Sequence, residues 1–142
     1  MKLVQHLLDS KGRQVISIAP DASVFQAIKL MADKAVSSLV VMKDDKLLGI
    51  ITERDYARKV IIKGRSSDTT QVAEIMTSDV VTASRSQTVN QCMGVMTERS
   101  IRHLPVVEDD KVIGMISMRD LVQAIIADQQ EEIEQLESYI SG

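Results

Sequence analysis

The chain has 142 residues, of which 44% are hydrophobic and 26% charged, with a formal net charge of −3. That balance belongs to a globular protein with room for one ordinary domain or for two small units sharing a core, not to a disordered chain. A negative charge and a set of aromatics limited to Phe25, Tyr56 and Tyr139 give no case for nucleic-acid binding, either by phosphate neutralisation or by base stacking.

In chain order, residues 3–8 predict a short helix ended by Ser10-Lys11-Gly12. Val15-Ile16-Ser17-Ile18 predicts a short strand, stopped at Pro20. Ser23 reads as a helix cap, with Val24, Ala27, Ile28 and Met31 at helical spacing behind it. Leu39 to Met42 is a buried strand, Lys43-Asp44-Asp45-Lys46 a polar turn, and Leu47 to Ile51 the returning strand. A helix is expected from about Glu53 to Ile62, and residues 63–71 (KGRSSDTTQ) have linker composition.

The pattern then repeats. Val72, Ile75 and Met76 resume a short helical pattern, Val80-Val81-Thr82 is the expected strand, and Val89, Cys92, Met93 and Met96 form the helix stripe. Leu104 to Val107, the Glu108–Lys111 turn and Val112 to Ile116 repeat the hairpin, and Leu121 to Ala127 the helix. The segment GIITERD at 49–55 returns as GMISMRD at 114–120, an offset of 65 at which Val24 matches Val89, Met31 matches Met96 and Leu39 matches Leu104. Matches on stripes and turns are what two copies of one fold need. The expected layout is therefore 1–62 with an N-terminal helix, a linker at 63–71, a second copy at 72–127 and a helical tail at 128–142. The tail carries Ile133, Leu136 and Ile140 at spacings of three and four, read equally as a seam that docks on a partner subunit and helps a homodimer form, or as a solvated helix.

Each copy places a hydroxyl residue, Thr52 or Ser117, at a strand-to-helix junction, where a helix start offers N–H groups to an anion. Arg54 and Arg119 add charge, and Asp55 and Asp120 add a carboxylate with two acceptor oxygens, suited to a diol. The same spacing also fits a capping box, in which the Asp serves only the helix. Glu53 follows Thr52 whereas Met118 follows Ser117, so the second junction is expected to be the better host for an anion.

Other chemistry has little to stand on. His6 and His103 lie far apart, without metal-ligand spacing. There is no nucleophile elbow, dinucleotide fingerprint or P-loop, so an enzyme is not expected. Cys92 is the only cysteine, which fits a reducing compartment. With no apolar run of about 20 residues and no signal-peptide pattern at the N-terminus, no membrane segment is expected and the chain reads as cytoplasmic.

The repeated junctions, with EIMT at 74–77 and RHLPVV at 102–107, resemble a tandem pair of cystathionine-β-synthase (CBS) domains, a Bateman module, from about Val4 to Ala127. The segment ITERDYARKVIIKGRSS is similar to stand-alone two-domain proteins of the plant CBSX type. The resemblance implies two α/β repeats of βαββα order in pseudo-twofold relation, followed by a C-terminal helix, and assembly as a homodimer. It implies an adenine nucleotide (AMP foremost, ATP or NAD(H) otherwise) in the cleft between repeats, no metal, and regulation of a further protein. It assigns ribose to Asp55 and Asp120 and phosphate to Thr52 and Ser117. Base-slot candidates are Ile16, Ser17, Ser37, Ser38 and Leu39 in the first copy. In the second they are Val81, Thr82, Arg102, His103 and Leu104, beside Pro105, whose missing N–H favours an edge strand. Lys63, Arg65, Ser66 and Ser67 are read either as further phosphate contacts or as a solvated loop. The alternative function is a constitutive dimeric scaffold with empty clefts.

Overall fold

The computed structural model describes residues 2–12 and 14–141. They form a mixed α/β fold with two small sheets, divided into two compact units. One unit spans Val15–Val81 together with Asp109–Lys111; the other joins the segment up to Gln14 to Thr82–Glu108 and the chain from Val112 onward.

In the Val15–Val81 unit the elements are β1 (Ser17–Ile18), α2 (Val24–Lys34), β2 (Ser38–Lys43), β3 (Lys46–Thr52), α3 (Glu53–Tyr56) and α4 (Val72–Ile75), numbered after α1 (Val4–Lys11) of the other unit. β1 runs parallel to β2, and β2 antiparallel to β3 with Ser38 opposite Thr52. Asp44 and Asp45 both have left-handed backbones (φ 51° and 62°), the geometry of a two-residue hairpin turn that follows strand twist and that Asp tolerates better than most residues. Helix α2 starts on Ser23, whose hydroxyl accepts from the Gln26 N–H at 3.1 Å, and it buries Val24, Ala27 and Met31 on Leu39, Val41 and Ile51. After α3 the chain makes a π-helical turn, Ala57–Ile61, instead of the continuous helix expected to Ile62.

The other unit holds α1, α5 (Val89–Arg99), β4 (His103–Glu108), all but the first residue of its hairpin partner β5 (Lys111–Ser117), and α6 (Met118–Ser141). The strand expected at Val80–Thr82 does not form; pairing narrows to one parallel bridge, Ala83 with Val106. Pro105 explains the loss. In the first copy the Val40 N–H donates to the Ile16 carbonyl at 3.3 Å, and the corresponding bond would need an N–H on Pro105. Helix α6 is continuous over 24 residues, so the tail prolongs the helix expected at Leu121–Ala127.

Packing and sequence repeats are cut differently. The N-terminal helix, expected with the first copy, packs in the unit of the second: the Val4 N–H donates to the Gln87 carbonyl and the Val89 N–H to the Lys2 carbonyl, at 2.9 and 3.0 Å. In the first copy that place is taken by α4: Val72 N–H donates to Ala22, and Val24 N–H to Thr70, both at 2.8 Å. Two glycines record these dockings. A Cβ on Gly49 would lie 2.7 Å from Met76 Sδ and 2.8 Å from the Thr77 carbonyl, and one on Gly114 would lie 2.5 Å from Leu8 Cδ2. The residues expected as linker are tied down as well, since the Ser67 and Thr70 carbonyls accept the first N–H groups of α2 and Thr70 is buried.

Candidate functional site

Both junctions are capping boxes. Asp55 Oδ2 accepts from the Thr52 N–H at 3.0 Å and from the Thr52 hydroxyl at 3.2 Å, while Thr52 Oγ1 accepts from the Asp55 N–H at 3.2 Å. At the second junction Asp120 Oδ2 accepts from the Ser117 N–H at 2.8 Å, and Ser117 Oγ accepts from the Asp120 N–H at 3.2 Å. The next N–H of each helix start is also taken, Glu53 by the Ser37 carbonyl at 3.1 Å and Met118 by the Arg102 carbonyl at 2.8 Å. The junctions therefore hold fewer free donors than a bare helix start.

Each carboxylate has a lysine, but from a different source. Lys59, one turn along the chain from Asp55, sits 3.1 Å from its Oδ1 and donates to the Ile75 carbonyl at 2.8 Å. Lys11, from the end of α1, donates to Asp120 Oδ2 at 2.6 Å and to the Met115 carbonyl at 2.8 Å. Burial pushes the Asp120 carboxyl up, but the bonds from Lys11 and the Ser117 N–H outweigh it and hold it below its ordinary value of 3.8. Its Oδ1 takes none of these bonds, so the second junction keeps one carboxylate oxygen for another donor.

The structure thus joins Thr52 to Asp55 and Ser117 to Asp120, with Arg54 and Arg119 exposed on the first turns. Of the base-slot residues, Leu39, Leu104 and Pro105 are buried, and Leu39 belongs to the core of its unit, so any ligand contact there falls to backbone. Ser38 is buried opposite Thr52; Ile16, Val81 and His103 are half-buried; Ser17, Ser37, Thr82 and Arg102 are exposed. Lys63 and Ser66 are exposed and Ser67 is half-buried, while Arg65 is engaged with Glu74 at 2.6 Å. Lys59 was legible as an i,i+4 partner of Asp55; nothing local in the sequence marks Lys11. Among the described residues there is no cluster of His, Cys, Asp and Glu able to hold a metal, and no helix long and apolar enough to cross a membrane.

A family model described as the CBS domain matches residues 11–62 and 72–127. A CBS domain-containing protein of Arabidopsis thaliana, CBSX3, mitochondrial, is 39% identical over 98% of this chain and 72% of its own length. A solved protein with CBS domains from Burkholderia ambifaria is 46% identical, with a TM-score of 0.87 over 90% of this chain and 96% of that one. A CBS domain pair crystallised with 5′-methylthioadenosine and S-adenosyl-L-methionine is 26% identical, with a TM-score of 0.81 over 90% and 98% of the two chains.

Proposed function

Because the chain belongs to the CBS domain family, we propose that it is a non-enzymatic regulatory module that binds an adenine nucleotide and passes its occupancy to another protein. AMP is the first ligand of this reading, with ATP and NAD(H) behind it. The protein works as a homodimer in the cytoplasm, although the plant relative is a protein of mitochondria. The observation that carries the reading is the duplicated cap, which sets a hydroxyl, a carboxylate and a lysine within hydrogen-bond reach at one point of each unit. The adenosine ligands of the related CBS pair support it.

At the second junction Asp120 Oδ1 receives a ribose hydroxyl, and Ser117 and Lys11 face the phosphate. At the first, Thr52 and Asp55 do the same work against more competition, since both oxygens of Asp55 are engaged. The second junction is therefore filled first. The scaffold reading draws on the same bonds: carboxylates satisfied by caps and lysines need no ligand.

Calorimetric titration with AMP separates the two. Asp120→Asn keeps an acceptor for the Ser117 N–H and removes the charge offered to the ribose. Its affinity for AMP is expected to fall about tenfold or more, the equivalent of one strong hydrogen bond. Asp55→Asn should spare the tighter site. If no adenine nucleotide binds the wild type, the scaffold reading stands; if both variants keep full affinity, the caps are not the site.

A further inference from the structure

Helix α6 buries one face, at Leu121 and Ala124, and leaves another open. Val122, Ile126, Ile133, Leu136 and Ile140 are all exposed, Ile140 to 81%. With Gln129 they fall at alternating spacings of three and four, the a and d positions of a heptad repeat, within a stripe of about 80° on the helix. A seam of this length and regularity is built to receive one more helix.

Its flanks say which kind. From Asp128 to Glu137 the helix carries Asp128, Glu131, Glu132, Glu134 and Glu137, and no cation follows Arg119. Lys2 sits 3.6 Å from Asp128; among the described residues the four glutamates form no ion pair. Glu132 and Glu137 border the seam at the g and e positions, which face each other across two parallel helices. A second copy of α6 would set carboxylate against carboxylate there, and like charges at these positions disfavour pairing.

We propose that the α6 seam docks a basic amphipathic helix of the regulated protein, with apolar residues at a and d, Lys or Arg at e and g, and one polar residue opposite Gln129. The buried polar pair would fix register, as a lone polar group in an apolar seam does. This inference rests on the chain being a module with a protein partner; it does not need the nucleotide.

The test uses the full chain and two synthetic helical peptides with the same Ile/Leu seam and one Asn, one carrying Lys at e and g, the other Glu. Fluorescence anisotropy at low salt should show the basic peptide binding at least about tenfold more tightly than the acidic one. Ile133→Ser with Leu136→Ser should abolish binding while leaving the AMP titration and the melting temperature unchanged, since both side chains are exposed. Glu132→Lys with Glu137→Lys should reverse the preference. Equal binding of the two peptides, or binding of neither, overturns the proposal. So does a dimer at neutral pH that the seam variant turns into a monomer, because the occupant is then a second copy. An absent AMP signal with intact peptide discrimination would remove the nucleotide reading and leave this one standing.

Discussion

Lys11→Met removes an ammonium and keeps most of the stem that carries it. The ammonium spans Asp120 Oδ2 at 2.6 Å and the Met115 carbonyl at 2.8 Å, so it ties α1 to both β5 and the start of α6. Hydrogen bonds to charged groups contribute about 1.5–3 kcal/mol when shielded from water. Here the Lys11 side chain is 40% exposed and that of Asp120 19%, so solvent screening reduces the pair to about 1–1.5 kcal/mol. In a protein of this size that is a fall in Tm of about 4 °C. The sign of the pH dependence follows from the depressed Asp120 carboxyl. Its contribution is fully present above the ordinary value of 3.8 and is lost as pH falls through the lower folded value. The gap between wild type and variant should be full at pH 7 and should close on acidification below 3.8. Urea unfolding followed by circular dichroism at pH 7 and at low pH reads both numbers, with Lys59→Met as the matched change in the other unit. A gap that persists at low pH would assign the effect to stem packing, and no gap at pH 7 would deny the ion pair any role in stability.

The two junction glycines should differ. Gly49→Ala pushes a methyl against the Thr77 carbonyl, which is backbone, and is expected to cost about 1–3 kcal/mol; Gly114→Ala meets the end of the flexible Leu8 side chain and should cost less, as paired urea curves will tell. Ala35 and Ser100 end α2 and α5 with φ of 55°, so Ala35→Gly and Ser100→Gly should each raise stability by roughly 0.5–1 kcal/mol; a loss of stability in both would contradict the strain. Cys92 is buried, and burial pushes its thiol above the ordinary value, so thiol reagents at pH 8 should label it only on unfolding; rapid labelling of the native protein would refute this.

Local chemistry made most of the fold legible. The paired aspartates of both hairpin turns, the Ser23 cap and the stripes ending at Met31 and Met96 each act within a few residues of themselves. What stayed hidden acts at a distance. The pairing of Lys11 with Asp120 spans most of the chain, and the docking of α1 beside Gly114 leaves no periodic trace. The missing second strand is readable in principle, since Pro105 lacks an N–H, but the lost bond appears only once the first copy shows that its counterpart, Val40, donates to a strand. At the junctions the spacing fitted a ligand group and a cap alike; geometry shows the cap, and titration must show the ligand.

The exchange of α1 into the later unit also sets a schedule for synthesis. The Val15–Val81 unit is nearly contiguous, so most of its chain is available as soon as Val81 clears the ribosome. Val4, Leu7 and Leu8 are made before that unit, yet the structure they dock on includes the start of α5 and Gly114, made much later. At about 5–20 residues per second the wait is of the order of 5–20 seconds. An eight-residue segment is too short to hold a helix alone in water. Throughout that interval residues 4–8 lack the surface that buries them and are exposed to chaperones and to other chains.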